Sequence, residues 1–183
     1  RRAATIGGHN MDDYPLKMHV FNRARLIKNS KNRIPYGVDL IQKYKRESWI
    51  VFTENKKQAK QFNKIINTKG FKSALYNTDL DSSERLENLT KFKNGDLNVL
   101  VTCTALDEGF DMPEADGALI LSASSSKRQR VQRMGRVLRI TENKPNALIV
   151  TVYSSKTEFD KLMDEAKRYH KEGVPVSWKR QDR

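Results

Sequence analysis

From Trp49 onward the chain alternates between short apolar runs and amphipathic stretches. Trp49–Thr53 is a continuous run of strand-forming residues, which reads as a buried strand. Asn55 follows at an N-cap position, and Ala59, Phe62, Ile65 and Ile66 then recur on one helical face until Gly70. Ser73–Tyr76 predicts the next strand. Asp81 and Glu84 have the spacing of a capping box, opening a helix with Leu86, Leu89 and Phe92 turned inward and Gly95 as its stop. Val99–Thr102, Gly117–Leu121 and Ala147–Val152 add three more apolar runs. Strand candidates separated largely by helical patterns are the signature of parallel βαβ units under right-handed crossovers. The expected fold class is therefore α/β, in three layers around an open, mainly parallel sheet.

The flanks are less regular. Val20, Phe21, Ala24 and Ile27, then Val38, Ile41 and Tyr44, stand at helical spacing, and Asn32–Gly37 with Pro35 predicts a turn between two helices. Residues 1–13 lack periodicity and read as a linker, whereas Lys156–Lys171 predicts a C-terminal helix packed on the sheet. The expected division is a linker and helical extension over 1–46, the α/β domain over 47–155, and a helix and tail over 156–183. The chain opens at Arg1 without a methionine and reads as part of something longer.

Composition narrows the function. The 183 residues are enough for one substantial core but not for two full α/β domains. Lys and Arg number 35 against 22 Asp and Glu, a net charge of +13 that attracts polyanions and makes nucleic acid the leading partner. Cys103 is the single cysteine, which excludes an internal disulfide and a cysteine-based zinc cluster and fits a reducing compartment, cytoplasmic or nuclear. His9, His19 and His170 share no ligand spacing, so no metal site is expected. The longest apolar run, Ala147–Tyr153, is too short to span a bilayer.

In open parallel sheets the working residues lie on loops beyond the carboxyl ends of the strands, here after Thr53, Tyr76, Thr102 and Leu121. The most informative segment lies in one of them. Over Ser124–Arg139, serines are placed to cap a helix beginning near Lys127. At ~100° per residue Val131, Met134, Val137 and Leu138 share one arc, while Arg128, Gln132, Arg136 and Arg139 fall in a separate wedge about 80° wide. Crowded guanidinium groups repel unless a multi-oxygen anion neutralises them, and their forked geometry suits phosphate. An ordinary solvated basic helix is the alternative, but Gly135 argues against it, because a mid-helix glycine costs about 1 kcal/mol relative to alanine.

Gln132–Arg139, reading QRMGRVLR, resembles motif VI of superfamily 2 helicases, whose general form is Q/H-R-x-G-R-x-x-R. The resemblance implies a second RecA-like domain. It also implies that Arg136 and Arg139 reach the γ-phosphate of an ATP held by a partner domain and stabilise charge in the transition state. Gln132 would help couple nucleotide state to the bound strand. Val99–Pro113 is similar to motif V, which touches both the nucleic-acid backbone and the nucleotide. Carried over, Asp111 would accept from the ribose hydroxyls, Gly109 would allow close backbone approach, and Thr102 and Thr104 would offer hydroxyls and amides to phosphates. Cys103 departs from the pattern, standing where relatives carry Thr or Ser. Trp49–Ala59 is similar to motif IV, in which a strand end, here Thr53, and the following helix N-terminus bind the sugar-phosphate track. Tyr76–Arg85 resembles the intervening motif, with Arg85 in place but Asn77-Thr78 replacing its usual His-Gly. Asp107–Ala115 and the serine-rich run before motif VI are worded most like the XPB-like group, which implies duplex DNA.

No Gly-x-x-x-x-Gly-Lys-Ser/Thr loop and no strand followed by an Asp-Glu-x-x box of the motif II kind occur in the chain. ATP and its Mg²⁺ are accordingly expected to be held mainly by a first RecA-like domain of the same protein, and this chain alone is expected to be inactive. Two alternatives stay open: the translocating domain of a restriction or DNA-remodelling complex, and a non-enzymatic nucleic-acid-binding module.

Overall fold

A computed structural model describes residues 30, 32–103, 113–121 and 147–179. Five strands are assigned among them: β1 (Trp49–Thr53), β2 (Ser73–Tyr76), β3 (Val99–Cys103), β4 (Gly117–Ile120) and β5 (Leu148–Thr151). With them run helices α1 (Arg33–Tyr44), α2 (Lys56–Thr68), α3 (Ser82–Lys93) and α4 (Lys156–Lys171). The strands form a single sheet in the order β2-β3-β1-β4-β5, and every pairing is parallel. The expected α/β class and parallel sheet are what the chain adopts.

Alternation along each strand splits the core into two layers. Trp49, Val51, Val99, Val101, Leu119 and Leu121 face α1 and α2, meeting Ile34, Val38, Ile41, Ala59, Phe62 and Ile66. Ile50, Phe52, Leu100, Ala118 and Ile120 face the other way, where α3 contributes Leu89 and Phe92. Helices therefore cover both faces, and α1 shares the core of the sheet. Leu86, expected to point inward on α3, is instead 64% exposed. Its neighbours Leu89 and Phe92, at helical spacing from each other, carry the packing without it.

The caps explain where elements begin. Asn55 Oδ1 accepts from Gln58 N at 2.9 Å, and Asp81 Oδ1 accepts from Glu84 N at 2.7 Å. Gly70 and Gly95 follow α2 and α3 with φ of +86° and +82°, the left-handed conformation that closes a helix. One expectation fails: Asn32–Gly37 is not a turn, because α1 starts at Arg33 and runs through it. Pro35 falls in the first helical turn, where a missing N–H removes no intrahelical bond. The helix expected before it and the helix expected over Lys127–Arg139 lie outside the described residues.

Candidate functional site

Because all five strands run parallel, their carboxyl ends share one rim. Its centre is β1, with β3 on one side and β4 on the other. The register sets Phe52 beside Thr102 and beside Ile120, and Thr53 beside Cys103. The chain leaves β3 and β4 at this rim, entering residues 104–112 and 122–146 respectively. Those two segments carry Thr104, Gly109, Asp111, Gln132, Arg136 and Arg139, all of which lie outside the described residues.

The described candidates are Thr53, Thr102 and Arg85. The fold brings the two threonines together: Thr53 Oγ1 donates to Thr102 O at 3.0 Å and to Asn55 O at 3.2 Å. Both residues are buried. The Thr53 hydroxyl thus ties β1 to β3 and to the start of α2, and Thr102 Oγ1 donates to Cys103 O at 3.2 Å. The positioning of the rim backbone is what these hydroxyls accomplish locally. Arg85 stands in the first turn of α3, its Nη2 donating to Ser82 Oγ at 3.4 Å. Its charge helps hold the Asp81 carboxyl below its ordinary value, after the larger effects of the Glu84 amide and the Ser83 hydroxyl.

Three features of the rim have surroundings that the sequence did not reveal. The first is an ion-paired cluster between the start of α2 and the β2–α3 loop, where Lys56 and Lys60 both bond Asp79, Lys60 at 3.1 Å. These two lysines, Lys56 foremost, hold the Asp79 carboxyl below its ordinary value. Nothing in the spacing of residues 56, 60 and 79 reveals the pairing. The second is Asn77, just beyond β2. It is 3% exposed, its Oδ1 accepts from Asp79 N at 2.9 Å, and its Nδ2 has no partner among the described residues. A buried amide donor left unpaired is costly, which marks the position as unusual. The third is Arg33, buried at the start of α1 and bonded to the carboxyl ends of β4 and β5. Among the described residues no three His, Cys, Asp or Glu stand together as a metal-binding group, and no helix is long and apolar enough to cross a membrane.

Comparison with known proteins bears on the same region. The family described as helicase conserved C-terminal domain matches residues 32–141. A "DNA 3'-5' translocase XPB2" from Sulfurisphaera tokodaii is 36% identical over 129 residues, covering 70% of this chain and 28% of that protein. An "ATP-dependent RNA helicase DBP3" from Ajellomyces capsulatus is 28% identical over 166 residues, covering 87% of this chain and 32% of its own length. The chain thus spans about a third or less of these relatives. Among solved structures, the C-terminal domain of the DEAD-box protein Dbp5 superposes with a TM-score of 0.68 at 22% identity, covering 79% of this chain and 82% of that one.

Proposed function

We propose that this chain, which belongs to the helicase conserved C-terminal domain family and has the fold of superfamily 2 helicase C-terminal domains, works as the second motor domain of an ATP-dependent helicase or translocase. The observation that carries this reading is the shared rim. Two segments bearing the motif-like residues leave the sheet from β3 and β4, the strands on either side of β1, at the same edge. Loops beyond the carboxyl ends of the strands are where open α/β sheets bind their ligands.

In this reading Arg136 and Arg139 reach the transferring phosphoryl group of an ATP bound to a first RecA-like domain and stabilise its charge. Gln132, Gly109 and Asp111 complete the contact with the nucleotide. The family's chemistry uses ATP with Mg²⁺, and the guanidinium groups of this chain suit the triphosphate. The phosphate loop and the acidic box that would grip the nucleotide and hold its metal belong to the partner domain. Thr53, Thr102, Thr104 and Arg85 would face the nucleic-acid backbone. Thr53 and Thr102 would serve it through the amides their hydroxyls set in place, because the Thr53 hydroxyl already donates to two carbonyls. The Asn77 amide donor, without a partner among the described residues, supports a phosphate oxygen near the end of β2. The net charge of +13 supports a polyanionic partner, and the XPB-like wording of Asp107–Ala115 favours duplex DNA within that class.

Two measurements test the assignment. The purified chain should bind nucleic acid with an affinity that falls steeply with salt, yet show no stimulated ATP hydrolysis. Nucleic-acid-stimulated turnover by this chain alone would overturn the division of labour, and salt-independent binding would overturn the phosphate track.

A further inference from the structure

Arg33 is a charged residue in an otherwise apolar layer. It lies at the start of α1, 2% exposed, on the side of the sheet whose core holds Leu121 and Val152. Its Nη1 donates to Leu121 O at 2.7 Å and to Val152 O at 2.9 Å. Its Nη2 donates to Ser154 Oγ at 2.6 Å and to Glu158 Oε2 at 2.5 Å. Glu158, 5% exposed, sits in the first turn of α4 and also accepts from Ser154 N at 2.8 Å. One guanidinium therefore joins the start of α1, the carboxyl ends of β4 and β5, and the start of α4.

A buried ion pair is an inefficient way to stabilise a fold. Desolvating two charges offsets most of their attraction, and an apolar pair of similar volume is often as stable or more so. The geometry of Arg is what an apolar pair lacks, because a planar fork fixes the directions of its acceptors. Here the acceptors include the carbonyl of Leu121, the residue from which the chain departs into 122–146. At the β4 and β5 ends Leu121 N donates to Phe52 O at 3.0 Å and Val152 N donates to Ile120 O at 2.8 Å, and the fork takes the carbonyls of the same two residues.

We propose that Arg33 and Glu158 are positioning residues for the arginine-bearing segment: their clasp fixes the direction in which the chain leaves β4, and so the place from which Arg136 and Arg139 reach the nucleotide. The proposal rests on the motor reading given above. Arg33 does not touch the nucleotide in it. The clasp acts on the rim backbone where residues 122–146 begin, and an error of about 1 Å in the placement of a reacting group costs about a hundred-fold in rate.

The test uses two variants, Arg33→Lys and the paired Arg33→Met/Glu158→Met, in this chain and in the full-length protein. Lys keeps the charge but not the fork. The double Met variant removes both charges while keeping bulk, so any fall in its melting temperature should be confined to the cost of the Leu121 and Val152 carbonyls it leaves without the fork. In this chain, hydrogen exchange at the amides of Leu121 and Val152, which bond Phe52 O and Ile120 O, should quicken in both variants while β1 and β3 keep their protection. In the full-length protein, both variants should lose about 10- to 100-fold in kcat with little change in the KM for ATP. In an Arg136→Ala background the same changes should cost no further kcat. Recovery of normal turnover in the double Met variant would reduce the clasp to an ordinary structural contact and overturn the proposal. Exchange that rises equally in every strand would do the same. Failure of the motor reading is distinguishable, since Arg136→Ala and Arg139→Ala would then themselves leave turnover intact.

Discussion

Gly37 sits in the first half of α1, and replacing it with alanine sets two effects against each other. Helix propensity alone favours alanine by about 1 kcal/mol. The packing opposes it: a Cβ at this position would lie 2.5 Å from Leu121 Cδ2, 3.1 Å from Leu119 Cδ2 and 3.2 Å from Phe62 Cε2. Non-bonded carbons rest about 3.5–4.0 Å apart, so the Leu121 methyl must retreat by about 1 Å. Leu121, Leu119 and Phe62 are all fully buried, which leaves little room to retreat into. Overpacking a close-packed core costs about 1–3 kcal/mol, so Gly37→Ala should be net destabilising by about 1 kcal/mol. Calorimetry should show the melting temperature falling by about 2–4 °C for a chain of this size. A cavity made by Leu121→Ala, itself worth about 2–5 kcal/mol, gives the new methyl somewhere to go. The double variant should therefore be more stable than the sum of the two single changes, by about 0.5 kcal/mol or more. A melting temperature that rises in Gly37→Ala would refute the packing argument, and strict additivity would show that the methyl does not meet Leu121.

Other outcomes follow from the same structure. Gly117→Ala places a Cβ within 2.6–2.8 Å of three ring atoms of Trp49, a fully buried indole that cannot yield as a leucine methyl can, so thermal unfolding should show a larger loss than Gly37→Ala, about 2–3 kcal/mol; equal or smaller loss would contradict the rigid-ring argument. The Asp79 carboxyl should titrate below 3.8 by NMR, and Lys56→Met should raise its midpoint more than Lys60→Met, in the order in which the two lysines lower it. Its folded value is depressed, so the stability it contributes is present above the ordinary value and is lost as pH falls through the lowered one. The cluster is exposed, and melting at neutral pH should hardly change in either lysine variant.

The three central strands were readable because they are buried on both faces and so appear as unbroken apolar runs, whereas β2 and β5 at the edges are only partly buried; Trp49–Thr53 and Ser73–Tyr76 match their expected limits, and Val99–Thr102 needs only Cys103 added. Asn55 and Asp81 were readable because capping is a local matter of three residues. Pro35 misled because a proline signals a break within a helix but is harmless in the first turn, and sequence alone did not say which turn this was. Leu86 misled because helical spacing admits more apolar positions than a packed face can bury. Arg33 gave no signal at all: its acceptors lie 88 to 125 residues away in the chain, and an arginine in a chain with 35 basic residues looks like surface. The hydroxyls of Thr53 and Thr102 were assigned to phosphate by resemblance, whereas their burial and the bond between them depend on the pairing of β1 with β3. The pairing of Asp79 with two lysines likewise depends on how the β2–α3 loop meets α2.

Steady-state ATP hydrolysis by the full-length protein carrying Arg136→Ala or Arg139→Ala, measured with saturating nucleic acid and alongside strand affinity, bears most directly on the motor assignment. The guanidinium groups are assigned to transition-state charge, so kcat should fall by roughly a thousand-fold or more in each variant while strand affinity changes only a few-fold. Normal turnover in both would contradict the assignment.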